Sequence, residues 1–230
     1  MTQEPLSVVV LLFPNVTQLD FTGPAQVFSK FPNACVHLAW HNLEPVKTDA
    51  GWCIVPTATL GDCPPADVLF VPGGAGTFDL FTDGPALEFL RAQAAHASWI
   101  TSVCTGSFAL AAAGLLTGYQ ATSHWASLQM LEDFGVTPVS KRVVRDRNRI
   151  TGAGVTSGID FAFVLAEELY GREIAGNIQL AIEYDPEPPF DHGSPGKADP
   201  RYVQEIITAT HELRRSAVRN AADALLSTGH

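Results

Sequence analysis

The sequence predicts an α/β fold, a mainly parallel sheet with helices on both faces. Short apolar, β-branched runs alternate with helical patterns along the chain, as in repeated β-then-α units. Glycine-rich turns such as Pro72-Gly73-Gly74-Ala75-Gly76 close the strand ends. The run Trp99-Ile100-Thr101-Ser102-Val103 meets Cys104 and passes at once into Phe108-Ala109-Leu110-Ala111-Ala112-Ala113, which demands a sharp strand-to-helix turn.

Residues 6–13 form the first strand, apolar almost throughout because a parallel strand is covered on both faces. Pro14-Asn15 breaks it, and Leu19-Asp20-Phe21-Thr22-Gly23-Pro24 leads into a short helix reaching Phe31, with Thr22 as the expected N-cap. Strand-like runs follow at 35–40, 52–57 and 67–71, the last closing on the Gly73-Gly74 turn. Gly84-Pro85 opens a helix to about Ala97, and the Cys104 strand and helix come next. Residues 121–125 precede a helix over 126–134. Segments 142–145 and 149–151 form a hairpin around Asp146-Arg147-Asn148. A helical period runs through 159–169, a Pro/Gly-rich arm spans about 185–199, and a final helix covers about 200–226.

With 230 residues and 46% hydrophobic content, the whole of 1–230 reads as one domain. The single helix after the arm is too little for a second core, so it is expected to dock on the body or on another subunit. No apolar run has the length of a membrane span, and Met1-Thr2-Gln3-Glu4-Pro5 lacks the basic start of a signal peptide, so a cytoplasmic location is expected. Cys35, Cys53, Cys63 and Cys104 form no CxxC pair and have no histidine at ligand spacing, which argues against a zinc site or a disulfide framework. A net charge of −10 argues against nucleic-acid binding, and the basic run 141–149 reads as a solvated hairpin.

Cys104 stands at the elbow, where the first free N–H groups of a helix favour a thiolate. The structural alternative is a small buried cysteine packing a strand end. In an open parallel sheet the loops at the strand C-termini converge on one rim. That rim would gather Cys104 and Thr105 with Asp20 and the Gly73-Gly74 turn. A thiolate, an acid and backbone donors make a set suited to covalent catalysis. Each alone has a plainer reading, since Asp20 could cap a helix and paired glycines serve ordinary turns. His124 reads as a base or as a histidine fixed by hydrogen bonds beside Trp125. His37, His41, His96, His192, His211 and His230 lack motif context. Thr105 follows the cysteine where an adjacent imidazole would otherwise stand.

These loops resemble the DJ-1/PfpI superfamily, with Cys104 as its elbow cysteine, Asp20 as the acid and Pro72-Gly73-Gly74 as its turn. The branch most resembled is that of the isocyanide (isonitrile) hydratases. That likeness lies in Gln18-Leu19-Asp20-Phe21-Thr22-Gly23-Pro24, Thr101-Ser102-Val103-Cys104-Thr105-Gly106-Ser107, Thr122-Ser123-His124-Trp125, Thr151–Ala162 and the stretch from Leu180 to Phe190. DJ-1/PfpI-like domains of AraC-type regulators share several of these motifs but add a helix-turn-helix module. The resemblance implies a flavodoxin-like sandwich of the class I glutamine amidotransferase type and a homodimer. It also implies hydration of a small-molecule isocyanide to a formamide through a Cys104 thioimidate, with Asp20 as general acid/base and neither metal nor organic cofactor. Gly73, Gly74 and Thr105 would orient the intermediate or water, and His124, Trp125 and Val155 would line the substrate pocket. The alternatives are glyoxalase-type hydration of methylglyoxal by the same thiol, or a redox-sensing or ligand-binding domain with a low-pKa, partly exposed cysteine.

Overall fold

A computed structural model describes residues 4–227. In chain order the strands are β1 (Leu6–Leu11), β2 (Ala34–Trp40), β3 (Val46–Lys47), β4 (Cys53–Ile54), β5 (Ala58–Thr59), β6 (Val68–Val71), β7 (Trp99–Val103), β8 (Gln120–Ala121), β9 (Thr137–Pro138), β10 (Val143–Asp146) and β11 (Arg149–Gly152). The helices are α1 (Gln18–Phe28), α2 (Gly84–Ala94), α3 (Gly106–Ala112), α4 (Ser157–Tyr170), α5 (Arg172–Ala181) and α6 (Pro200–Ser227), with 3-10 turns at Ala75–Thr82 and Leu128–Phe134. Seven strands form one sheet in the order β10-β11-β7-β6-β1-β2-β5. All its neighbours are parallel except the β10–β11 hairpin at the edge.

The alternation of β1 explains why the sheet is covered twice. Val8, Val10 and Leu12 face one core with Phe28, Phe70 and Phe161, under α1, α4 and α5. Val9, Leu11 and Phe13 face the other core with Phe89, Leu90, Leu110 and Val218, under α2, α3 and α6. An uninterrupted apolar strand is thereby buried on both sides. The expected α/β architecture is present, and the C-terminal ends of β1, β6 and β7 lie side by side, as their registers require.

Several local expectations differ from the structure. Helix α1 begins at Gln18 with Thr17 at its N-cap, and Thr22 lies inside it, donating from its hydroxyl to Gln18 Oε1 at 3.0 Å. The cap comes from elsewhere in the chain: Gln18 N–H donates to Asp49 Oδ1 at 3.2 Å. Residues 52–57 do not form one strand. Only Cys53–Ile54 pairs, with Val46–Lys47, and Pro56, which lacks an N–H, separates it from edge strand β5. Segment 126–134 holds no α-helix: a 3-10 turn covers Leu128–Phe134 and ends at Gly135, whose φ of 70° closes it. The sequence reading passed over α5 and the 75–82 turn.

The arm over 185–199 carries no regular secondary structure and is mostly exposed. Beyond it, α6 docks by its C-terminal half, where Val218, Ala222 and Leu225 are buried, while Tyr202 and Ile206 in its N-terminal half are exposed. His230 and Met1–Gln3 lie outside the described residues.

Candidate active site

Strand β7 ends at Val103, and Cys104 turns the chain with φ at +56° before α3 starts at Gly106. A left-handed conformation at a residue with a Cβ costs about 1–2 kcal/mol, and here hydrogen bonds hold it from both sides. Cys104 N–H donates to the carbonyls of Gly152 (3.0 Å) and Ala153 (2.7 Å). Its carbonyl accepts from Ser107 Oγ (3.1 Å) and Ser123 Oγ (2.9 Å). Backbone strain held at a single residue in this way is typical of a functional position. Cys104 is nevertheless only 5% exposed.

Asp20 sits in the first turn of α1, fully buried, and its carboxyl faces the Cys104 thiol. Its Oδ2 accepts from Gly73 N–H at 2.9 Å, and Oδ1 has no hydrogen-bond partner among the described residues. Gly73 is required by space: a Cβ there would lie 2.6 Å from Thr105 N, 2.7 Å from Asp20 Oδ2 and 2.8 Å from Cys104 Cβ. Gly74 has φ at +145°, open only to glycine, and its N–H donates to Thr105 Oγ1 at 2.9 Å. The Thr105 hydroxyl also donates to Gly74 O (3.1 Å) and meets Thr77 Oγ1 at 3.1 Å. It therefore ties the Gly-Gly turn to the elbow instead of standing free to hold water. The Gly73 and Gly74 N–H groups are likewise engaged by Asp20 and Thr105. The Thr105 N–H serves the sulfur.

Burial reverses the expected charge state of the thiol. It pushes Cys104 well above its ordinary value, the Asp20 charge pushes the same way, and the Thr105 N–H only partly opposes them. Helix α3 spans seven residues, so its dipole offers little against this desolvation. Burial likewise raises Asp20 to about 7, against the Gly73 N–H bond, which lowers it. Two acids packed together share their proton. A partly exposed, low-pKa cysteine, on which the sensor alternative rested, is not what this site contains.

His124, Trp125 and Val155 come together in the wall of a cavity of about 450 Å³ that Pro195 of the arm also lines. Ser123 and Ala153, both bonded to the Cys104 backbone, belong to the same wall, which places the cavity against the elbow. Burial, then the Arg214 charge, lowers His124 to about 4, so it is neutral, with Nδ1 accepting from Ala126 N–H at 3.3 Å. Sequence reasoning assigned no role to Ser107 and Ser123, although both lie within the motifs quoted above, and it missed Thr77 and Arg214, which no motif marks. Among the described residues no group of three or more His, Cys, Asp or Glu could hold a metal ion. No helix among them is long and apolar enough to cross a membrane.

Known proteins resemble this chain in sequence and in fold. The isonitrile hydratase of Pseudomonas putida is 52% identical over 223 residues, 96% of this chain and 98% of that protein. A THiJ/PfpI family protein from Pseudomonas syringae superposes with a TM-score of 0.91 at 43% identity, covering 96% of this chain and 91% of that one. Drosophila melanogaster DJ-1beta superposes with a TM-score of 0.71 at 27% identity, covering 78% and 98%. The DJ-1/PfpI family profile matches residues 6–168, and the chain belongs to that family.

Proposed function

We propose that this protein hydrates an organic isocyanide to the corresponding N-substituted formamide, with Cys104 as nucleophile and Asp20 as proton carrier. The observation that carries the reading is the buried Asp20–Cys104 pair, in a chain 52% identical to an isonitrile hydratase over nearly its full length.

A terminal isocyanide carbon accepts a nucleophile only if the negative charge that develops on it is protonated at once. The pair meets this need when its shared proton lies on Asp20 and the sulfur is anionic. The sulfur bonds to the isocyanide carbon while the carboxylic acid gives that carbon its proton, leaving a thioimidate and an Asp20 carboxylate. Water then adds to the same carbon, its second proton passing through Asp20 to nitrogen. When the tetrahedral adduct collapses, its hydroxyl proton returns to Asp20, the C–S bond breaks and the thiolate leaves. The sum is one isocyanide plus one water giving one formamide. No electrons are transferred, so the scheme needs no oxidant or reductant.

The supporting geometry is the Gly73 N–H, which fixes the carboxyl, and the Thr105 N–H, which opposes the sulfur's desolvation. The cavity beside His124, Trp125 and Val155 would take the apolar substituent of the substrate. We further infer a cytoplasmic homodimer, which would cover the apolar Tyr202 and Ile206 left exposed on α6. The test is incubation with an alkyl isocyanide while the formyl proton of the product is followed by NMR. Formamide is expected from the wild type and not from Cys104→Ala or Asp20→Asn, and equal turnover by Cys104→Ala would refute the scheme.

A further inference from the structure

Asp20 and Cys104 share a proton, and the scheme above needs it on one particular side. Sulfur must be anionic while the carboxyl is neutral. Burial resists charge on both groups, and Asp20 resists charge on its neighbour. Something must make the sulfur the better place for the negative charge.

The docked end of α6 supplies a cation. Arg214 is half-buried, and its Nη1 donates to Ser127 Oγ at 3.0 Å. The guanidinium lies over the Phe78 ring at 5.5 Å. These two anchors bracket the elbow. Ser127 N–H donates to His124 O, in the segment whose Ser123 holds the Cys104 carbonyl. Phe78 follows Thr77, whose hydroxyl meets that of Thr105, and packs on Phe108 of α3 at 5.8 Å. Arg214 has no carboxylate partner among the described residues, whereas its neighbour Arg215 has Asp133 at 3.5 Å. A half-buried guanidinium without a counter-charge is costly unless an anion forms within its reach.

We propose that Arg214 is a positioning residue of the reaction: held between Phe78 and Ser127, its charge selects the thiolate–carboxylic acid form of the Cys104–Asp20 pair. The charges facing the sulfur are those of Asp20 from α1 and Arg214 from α6. The guanidinium also faces His124, which is neutral and adds no competing charge. Asp20 feels Asp49 and the thiol instead, so the cation discriminates between the two members of the pair. The role rests on Cys104 and Asp20 acting as proposed, but its test reads the thiol and not turnover.

The experiment is alkylation of the full chain by iodoacetamide across pH, with the Cys104 peptide quantified by mass spectrometry so that Cys35, Cys53 and Cys63 do not interfere. Arg214→Met and Arg214→Gln should each slow Cys104 alkylation at neutral pH about tenfold, a shift of about one pH unit in its midpoint. Arg214→Lys, which keeps the charge, should stay within about threefold of the wild type. An unchanged midpoint in whichever neutral variant folds would overturn the proposal. So would an Arg214→Lys profile shifted as far as the neutral variants, because the effect would then be one of packing. Absence of formamide production by the wild type, with the alkylation midpoints shifted as expected, would count against the hydration scheme and not against this electrostatic role.

Discussion

Replacing Asp20 by asparagine should stabilise the fold at neutral pH while abolishing turnover. The carboxyl is fully buried, and burial raises its folded-state value from 3.8 to about 7. Between those limits the folded protein keeps a proton that the unfolded chain has already lost. Stability contributed by this group is therefore intact below about pH 4, falls as pH rises, and is lost above about pH 7. The raise of about 3 units corresponds to about 4 kcal/mol at most. The proton lost near pH 7 belongs to the coupled Cys104–Asp20 pair, whichever atom holds the one that remains. Asparagine has the shape of the neutral acid, and its carbonyl can still accept from Gly73 N–H. Urea unfolding of both proteins at about pH 4.5 and about pH 8 measures the difference. Asp20→Asn should exceed the wild type by about 1 kcal/mol at the lower pH and by up to about 4 kcal/mol at the higher. A difference that is the same at both values would refute the claim that burial, not a compensating contact, sets this carboxyl.

Gly73→Ala places a Cβ within 2.8 Å of three site atoms, two of them on the elbow. Turnover should fall by about a hundredfold or more and stability by about 1–3 kcal/mol, read by kinetics and thermal melting. Because Cys104 has φ at +56°, Cys104→Gly should unfold at a higher urea concentration than Cys104→Ala, by up to about 1 kcal/mol, with both inactive. In the wild type kcat/KM should rise as pH passes through about 7, when the pair loses its first proton. His124→Gln should leave that rise in place, since His124 is already neutral above about pH 4; its disappearance would make His124 the base.

What was legible in the sequence was what local chemistry dictates. The double-sided burial of β1 follows from its run of valines and leucines, and the elbow follows from a strand pattern meeting an Ala/Leu helix at Cys104. Asp20 and the Gly73-Gly74 turn were placed with it because parallel strands present their C-terminal loops on one rim. The N-cap of α1 was misplaced because the group that caps Gln18, Asp49, lies 31 residues away. The charge state of Cys104 could not be read either: the helix N-terminus is a local signal, whereas the desolvation that outweighs it depends on how distant elements pack around Cys104, which shares a buried cluster with Phe161 and Ala162 of α4. Arg214 was invisible for the same reason, an arginine in an amphipathic helix until α6 docks.

The central claim is that Cys104 carries the substrate carbon covalently. It is tested most directly by acid-quenching the protein during turnover of an alkyl isocyanide and measuring the mass of the Cys104 peptide. Addition without a leaving group predicts a mass increase equal to one whole isocyanide molecule on Cys104, present in the wild type and absent from Cys104→Ala. Undiminished formamide production by Cys104→Ala, with no adduct on any peptide, would contradict it.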